Sequence, residues 1–259
     1  CQHKYVHWFL KPLFYLLYKS GFACGKDAGK WLYGDRMYDI VKNGINLDKF
    51  RYRIEDRLKW RKFLGLSEKD IGIIHIAHFT EAKNHNFLIK ILQNVIYSGK
   101  MEKKGYKLFL LGQGEHRKVV EVQVEQCGLK DYVVFVGVTQ NVPQYLAACD
   151  VLVLPSLYEG FPFAAVEAQA SGIRCLISDK VTRDCCFSEK CKYIPLDEEK
   201  WVNAILESTN DYDRMEACLE NQKLIREGGY DIREIAENLK EQYIKYGKHE
   251  KNSEESGKG

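Results

Sequence analysis

The segment CDVLVLPSLYEGFPFAAVEAQASG, residues 149–172, contains the features that decide the fold. Its residues 151–155 form a short Val/Leu run, which is typical of a parallel strand covered on both faces. Pro162 then suits the first turn of a helix because its missing N–H is not needed there, and FAAVEAQA continues with strong helix formers. The sequence therefore predicts a buried strand, a turn and a helix.

Two carboxylates, Glu159 and Glu167, flank this turn. A carboxylate is costly to bury without partners, so both either face water or meet groups that donate hydrogen bonds to them. Helical side chains tilt toward the helix N-terminus, so Glu167 can lean back toward the turn that carries Glu159. We expect the two acids to line one crevice, where ionised carboxylates would accept hydrogen bonds from hydroxyl groups.

Strand and helix patterns alternate along the rest of the chain. The candidate strands are GFAC near residue 22, YDIVKN near residue 40, and the runs 71–77, 106–112, 132–137, 151–155 and 173–178. The clearest helix, NHNFLIKILQNVI, places on one stripe Phe87, Leu88, Ile91, Leu92, Val95 and Ile96. This alternation predicts an α/β fold with a doubly wound parallel sheet that begins near residue 71. Ligands bind such sheets outside the carboxyl ends of the strands.

The composition excludes several classes of protein. The 259 residues are 45% hydrophobic and carry a formal net charge of +3, which is too small to indicate nucleic-acid binding. No apolar run reaches the roughly 20 residues of a spanning helix, and a cytoplasmic protein is expected. The nine cysteines are odd in number and scattered, and Cys149 and Cys175 lie in apolar runs, so we expect reduced core thiols. A metal site at Cys185, Cys186 and Cys191 is the less favoured alternative, since paired spacing is missing.

Both ends of the chain have a distinctive pattern. Residues 1–20 are rich in aromatic and basic residues and free of acids, which favours a helix packed on a further domain, with contact with an anionic membrane as the alternative. Near the other end, one helical face would carry Ile232, Ile235, Ala236, Leu239, Tyr243 and Ile244. This helix would either cross to another domain or pack on its own. The polar residues 247–259 are expected to be disordered.

The loops after the predicted strands offer a coherent set of ligand groups. Lys83 supplies a cation, GQGE at residues 112–115 supplies backbone N–H groups, and the helix that begins near Phe163 offers a positive N-terminus, which together suit a diphosphate. Each group alone is more often an ordinary surface feature, so their convergence on one edge carries the prediction. A dinucleotide site is disfavoured because Arg117 stands where G-x-G-x-x-G needs its third glycine, and no P-loop motif exists. Sugar hydroxyls at the two glutamates and a diphosphate at the cation indicate a nucleotide sugar.

These segments resemble the donor-binding half of glycosyltransferase family 4 (group 1), retaining enzymes of the GT-B fold. The resemblance runs from about residue 20 to about residue 245 and is most specific at the two glutamates followed by AQASG. It implies that Glu159 contacts the donor sugar, Glu167 the ribose and Lys83 the diphosphate, with Glu159 and Lys83 as the catalytic pair. The donor-binding positions that it implies are His78, Lys83, Gly112, Gly114, Val138, Glu159, Gly160, Phe161, Phe163 and Glu167.

Two departures from the family pattern matter. His78 stands where the family usually has an arginine, and an imidazole offers one donor in place of a two-pronged guanidinium. The family also has a whole N-terminal acceptor domain. We therefore expect a fragment in which residues 1–36 are a remnant of that domain, residues 37–246 form the nucleotide-sugar donor domain with a C-terminal crossing helix, and residues 247–259 form a tail.

The function implied by the resemblance is transfer of a sugar, with retention, from a nucleotide sugar such as a UDP-sugar to a glycan or lipid-linked acceptor. Neither a cofactor nor a metal is expected, and the setting would be bacterial capsular or exopolysaccharide synthesis in the cytoplasm, at the inner face of the cell membrane. Two alternatives stay open: a nonhydrolysing sugar-nucleotide epimerase of similar architecture, and a binding module without catalysis.

Overall fold

A computed structural model describes Leu10 and residues 21–97, 105–208 and 212–256; the rest of the chain, including nearly all of segment 1–20, lies outside the described residues. The strands are β1 (Phe22–Ala23), β2 (Asp39–Ile40), β3 (Ile71–Ile76), β4 (Tyr106–Leu111), β5 (Val133–Gly137), β6 (Val151–Leu154), β7 (Arg174–Ser178) and β8 (Cys191–Ile194). The α-helices are α1 (Lys26–Tyr33), α2 (Ile54–Phe63), α3 (His85–Tyr97), α4 (Arg117–Gln126), α5 (Val142–Ala148), α6 (Phe163–Ala170), α7 (Glu198–Glu207), α8 (Arg214–Glu227) and α9 (Ile232–Ser256).

The chain divides into two compact units, one of residues Ile45–Gly228 and one of Cys1–Gly44 with Gly229–Gly259. The boundaries suggested by the sequence, at 36/37 and 246/247, stay predictions. Helix α9 continues to Ser256, through most of the segment that we expected to be disordered. Its many Lys and Glu residues are good helix formers, which explains why a polar composition here accompanies a helix.

The larger unit is built on a six-stranded parallel sheet with the order β5-β4-β3-β6-β7-β8. The chain moves outward from β3 through β4 to β5, returns to the middle at β6 and then moves the other way. The sheet is therefore doubly wound, as predicted, and its strand order reverses between β3 and β6. A crevice opens at such a reversal because the loops after the two strands leave in opposite directions.

Every strand expected from the sequence is present, and all but one lie within about a residue of their predicted bounds; the exception is YDIVKN, of which only Asp39–Ile40 form a strand. Three further local predictions need correction. Strand β8 was not expected, because it is short, lies at the sheet edge and carries the exposed Lys192. Pro162 is the N-cap of α6 and not a residue of its first turn. The buried stripe of α3 also includes Ile89, because both α4 and α7 pack against this helix.

The start of β6 is fastened to β3 by Asp150. One carboxylate oxygen accepts a hydrogen bond from the backbone N–H of Gly72 at 2.7 Å and from Arg61 Nη1 at 3.1 Å, and the other accepts from Arg57 Nη2 at 2.6 Å. The same two arginines donate to backbone carbonyls at the end of α5. A half-buried charge is stable here because each of its oxygens has a charged donor.

The cysteines behave only partly as expected. Cys149 and Cys175 are buried free thiols, and burial raises the pKa of both well above the ordinary range. Cys186 and Cys191, however, form a disulfide, so the expectation of reduced thiols is wrong for this pair. Their five-residue separation does not resemble a known paired spacing, and only the return of the chain into β8 brings them together. Among the described residues no group of three His, Cys, Asp or Glu side chains could hold a metal ion.

The smaller unit contains the parallel pair β1 and β2 and the predicted amphipathic helix, α9. The apolar face of α9 approaches this pair closely: the Phe22 and Tyr243 rings lie 5.5 Å apart, and a Cβ on Gly44 would lie 2.6 Å from Ile235 Cδ1. None of the helices in the described part of the chain is long and apolar enough to cross a bilayer.

A cluster of buried aromatic rings supports the loop after β3. The ring of His85 stacks on Phe79 at 4.2 Å and meets the edge of His75 at 4.7 Å. His75 Nδ1 donates to the carbonyl of Val153 in β6 at 2.7 Å, whereas neither nitrogen of His85 has a hydrogen-bond partner among the described residues. Desolvation by burial lowers the pKa of His75 to about 4 and that of His85 to about 2. Both rings are therefore neutral in the folded protein.

We predict that His85→Phe stabilises the protein, most of all in acid. The folded-state pKa of His85 is depressed below its ordinary value of 6.5, so its contribution to stability is present above that pH and is lost as the pH falls. The variant should unfold with a free energy about 1 kcal/mol higher at pH 7, with a further gain that approaches about 1.4 kcal/mol per pH unit once the pH is below the ordinary histidine pKa of 6.5. Urea unfolding at pH 7, 6 and 5 measures both effects.

The matched control is His116→Phe, because the His116 side chain is 41% exposed. This control deletes an imidazole that is partly exposed to solvent, so its stability relative to the wild type should change much less with pH than that of His85→Phe. A gain for His85→Phe that is independent of pH would contradict the neutral, buried state of this ring.

Candidate functional site

A cleft of about 580 Å³ opens at the carboxyl ends of the strands, where the strand order reverses. Its lining comes from the loops after β3, β4, β5 and β6 and from the start of α6. The lining residues are Ile76, Ala77, His78, Lys83, Leu111, Gly112, Gln113, Gly137, Val138, Thr139, Val142, Glu159, Phe161, Phe163, Ala164 and Glu167. Eight of the ten expected donor-binding residues are therefore brought together; Gly114 and Gly160 do not line the cleft.

The loop after β4 passes unusually close to the loop after β3. Gly112 has φ +136°, and a Cβ on it would lie 2.0 Å from the carbonyl oxygen of Ala77. Gly114 has φ +155°, and a Cβ on it would lie 2.5 Å from the carbonyl oxygen of Phe79. Only glycine allows this approach. His78 is held across the same gap, since its Nδ1 donates to the carbonyl of Gln113 at 3.1 Å, and Nε2 remains as its second polar atom.

Lys83 reaches the cleft from a short turn after β3. A 3₁₀ helix covers Glu81–Lys83, and Asn84 then adopts a left-handed conformation with φ 55°, which asparagine tolerates better than most residues. Asn84 Nδ2 donates to the carbonyl of Pro155 at 3.1 Å, and the N–H of Leu157 donates to the carbonyl of Ala82 at 2.8 Å. These bonds fix the lysine turn directly to the loop after β6.

Glu159 lies on that second loop and forms an ion pair with Lys83 through Oε1. Its other carboxylate oxygen accepts a hydrogen bond from the hydroxyl of the buried Ser156 at 3.2 Å. The backbone of Glu159 is paired in parallel with Val181. The two residues expected to share the catalytic work are thus in contact with one another, in a half-buried position that water screens weakly.

Glu167 lies on α6, little more than one turn from its start, and lines the same cleft as Glu159. Burial raises the pKa of its carboxyl to about 7, and the positive charge of Lys49 opposes this shift. A carboxyl group in a cleft with a pKa raised by burial is a candidate binding residue, because a ligand can donate the hydrogen bonds that the protein does not supply to this carboxyl.

The remaining cleft residues are apolar or backbone groups. The rings of Phe161 and Phe163 meet edge to face at 5.1 Å beside the start of α6. Val138 is 71% exposed and lines the cleft with its apolar surface. Gly160 is exposed, and a Cβ there would meet nothing within 4 Å, so its presence is not required by packing.

Two residues that position the site were missed at the level of sequence. Asn84 follows Lys83 directly, and an asparagine between a short turn and a helix is a detectable signal for a left-handed residue. Ser156 follows the Val/Leu strand and Pro155, and no sequence pattern shows that its hydroxyl meets Glu159.

Comparison with known proteins agrees with this architecture. The family model described as glycosyl transferases group 1 matches residues 56–223. The chain is 35% identical over 165 residues to the putative glycosyltransferase EpsF of Bacillus subtilis, which covers 62% of this chain and 42% of that protein. It is 26% identical over 220 residues to the Escherichia coli UDP-Gal:alpha-D-GlcNAc-diphosphoundecaprenol alpha-1,3-galactosyltransferase, which covers 83% of this chain and 56% of that protein. The chain therefore spans about half the length of these relatives.

Solved structures show the same fold. The structure of Anabaena HepE in complex with UDP and glucose superposes with a TM-score of 0.72 at 19% identity, covering 92% of this chain and 66% of that one. Sucrose-phosphate synthase from Thermosynechococcus elongatus gives a TM-score of 0.72 at 20% identity, covering 89% of this chain and 59% of that one. Because the family model matches more than half of its residues, this chain belongs to the group 1 glycosyltransferases, which have the GT-B fold.

Proposed function

We propose that this chain is the donor-binding half of a retaining glycosyltransferase of family 4 that uses a nucleotide sugar, most simply a UDP-sugar. The acceptor would be a glycan or a lipid-linked glycan of a capsular or exopolysaccharide, met in the cytoplasm at the inner face of the membrane. The observation that carries the proposal is the cleft at the strand reversal, in which Lys83, Glu159 and Glu167 converge. The names of two similar proteins, one using UDP-Gal and one solved with UDP and glucose, support the choice of nucleotide.

The chemistry of such a transfer suits the residues of the cleft. A sugar leaves a nucleoside diphosphate through a transition state in which negative charge grows on the leaving phosphate. Lys83 and the N-terminus of α6 can stabilise that charge without a metal or cofactor. Glu159 would accept hydrogen bonds from sugar hydroxyls and hold the ring in position, and Glu167 would accept from the ribose.

The remaining positions of the cleft have proposed roles of the same kind. His78 would contact the diphosphate through Nε2, since its Nδ1 is engaged by Gln113. The backbone around Gly112, Phe161 and Phe163 and the exposed surface of Val138 would face the nucleotide and the sugar. Gly114 would act indirectly, by allowing the loop after β4 to approach Phe79.

We predict that Glu167→Ala weakens binding of UDP and of UDP-sugars alike. The substitution would remove about two hydrogen bonds from ribose hydroxyls to a carboxylate, worth on the order of 3 kcal/mol or about a hundredfold in affinity. Isothermal titration calorimetry with UDP, UDP-glucose and UDP-galactose measures the loss. Unchanged UDP affinity would remove Glu167 from the site.

The pH dependence of UDP binding gives an independent test of the same residue. The pKa of Glu167 is raised to about 7 in the free protein, so the acceptor form of its carboxylate is depleted as the pH falls through that value. UDP affinity should fall by about tenfold between pH 8 and pH 6. Phosphate also titrates near pH 6, so the reference is Glu167→Gln, whose weaker binding should vary distinctly less with pH. Parallel curves for the two proteins would exclude this role for the carboxyl.

We predict that Glu159→Gln lowers the affinity for a UDP-sugar without lowering the affinity for UDP. The variant loses the ion pair with Lys83, which leaves this cation free for the diphosphate, so UDP affinity should be unchanged or higher. Affinity for the UDP-sugar relative to UDP should fall about tenfold, because the carboxylate acceptor of the sugar hydroxyls is gone. The matched control is Glu81→Gln, an exposed acid on the lysine turn. Equal losses for UDP and UDP-sugar would contradict the assignment of Glu159 to the sugar.

A further inference from the structure

Ser156 is a buried residue in contact with Glu159 that the proposed function does not use. It follows β6 after Pro155, its side chain is inaccessible to solvent, and its hydroxyl donates to Glu159 Oε2 at 3.2 Å. The residues on either side of it make the bonds that attach this loop to the lysine turn, through the carbonyl of Pro155 and the N–H of Leu157. The backbone that carries the hydroxyl is therefore held on both sides.

The carboxylate of Glu159 has two partners that differ in kind. Lys83 engages Oε1 through a long, flexible side chain that is half-buried, whereas Ser156 engages Oε2 from a short, buried side chain on a backbone held on both sides. A diphosphate carries more negative charge than one carboxylate and would compete for the lysine. A sugar hydroxyl, in contrast, would need a free oxygen of Glu159.

These differences suggest an exchange of partners when a donor binds. Lys83 can turn from Glu159 to the diphosphate, which leaves Oε1 free to accept from the sugar. Glu159 would then retain Ser156 as its protein donor in the described part of the chain. The serine donates to Oε2 and the lysine contacts Oε1, so the departure of the lysine leaves the bond from Ser156 in place.

We propose that Ser156 is a positioning residue that holds Oε2 of Glu159 in place when a donor binds. Lys83 then leaves Oε1 of Glu159 and contacts the diphosphate, and Oε1 accepts a hydrogen bond from the donor sugar. The proposal rests on the nucleotide-sugar function proposed above. It predicts that Ser156 affects recognition of the sugar and leaves recognition of the nucleotide alone.

The test compares the affinities of the chain for UDP and for UDP-glucose or UDP-galactose, measured by calorimetry, in variants of Ser156. Ser156→Ala should leave UDP affinity within about twofold and lower the UDP-sugar affinity relative to UDP by about tenfold. Ser156→Thr keeps a hydroxyl and should restore most of the ratio. The matched control is Ser171→Ala, which deletes another buried hydroxyl, one that donates to the carbonyl of Ala168 at 2.8 Å.

A double-mutant cycle with Glu159→Ala distinguishes positioning from general support of the fold. If Ser156 acts through Glu159, Ser156→Ala should cause no further loss of the ratio in the Glu159→Ala background. A second loss of similar size there would overturn the proposal, as would equal losses for UDP and UDP-sugar in the single variant. Should Ser156→Ala fold poorly by circular dichroism, Ser156→Cys, with a weak donor of similar size, takes its place with the same expected result.

The outcomes also distinguish a failure of the role proposed for Ser156 from a failure of the proposed nucleotide-sugar function. Wild-type protein that binds neither UDP nor a UDP-sugar would contradict the proposed function. Wild-type protein that binds both, with a ratio unchanged in Ser156→Ala, would contradict the role of Ser156 alone.

Discussion

The pairing of β3 with β6 is the constraint on which the site depends. These strands are more than 70 residues apart in sequence, yet Ile73 lies opposite Val151 and Ile74 opposite Leu152. The carboxylate of Asp150 reinforces the pairing by accepting from Gly72 N–H and from two arginines. Everything that makes a cleft here follows, because the loops after β3 and β6 leave the sheet on either side of the strand reversal.

Charge in the cleft is organised before any ligand arrives. Lys83 and Glu159 neutralise one another, while burial raises the pKa of Glu167 to about 7, so that part of its population is protonated near neutral pH. Such an arrangement limits the electrostatic cost of an empty, half-buried site, since the ion pair and the protonated fraction of Glu167 reduce the charge that has to be desolvated. It also means that a charged ligand must exchange partners with the protein, which is the basis for separating the role of Ser156 from that of Lys83.

The buried rings beneath the loop after β3 connect stability to the same region. Phe79 stacks on His85, and the backbone of Phe79 both donates to the carbonyl of Gln113 and accepts from the N–H of His116. The loop that carries His78 is thus packed on the neutral imidazole of His85 through Phe79, and backbone hydrogen bonds join it to the loop after β4. Two glycines allow the close approach that these bonds require. A partnerless histidine in this position is a cost to stability that the fold tolerates next to its functional edge.

The sequence by itself determined the periodic elements and the types of residue at their ends. The sequence predicted the Val/Leu strand before Ser156, the apolar stripe of α3 and the two acids of the cleft, Glu159 and Glu167. It could do so because strand and helix periods and the residue types in loops are local properties. Strand β8 and the burial of Ile89 were not predicted, since each depends on a neighbour that packs from elsewhere in the chain. The Cys186–Cys191 disulfide was not either, because the turn that brings the two thiols together has no recognised spacing pattern. The tertiary structure alone decided that Lys83 contacts Glu159 and that Ser156 holds its other oxygen. The contact between Lys83 and Glu159 arises from the parallel pairing of two distant strands, and a local pattern contains no information about which distant strands pair. The hydrogen bond from Ser156 lies within one loop and depends on the conformation that this loop adopts in the folded chain.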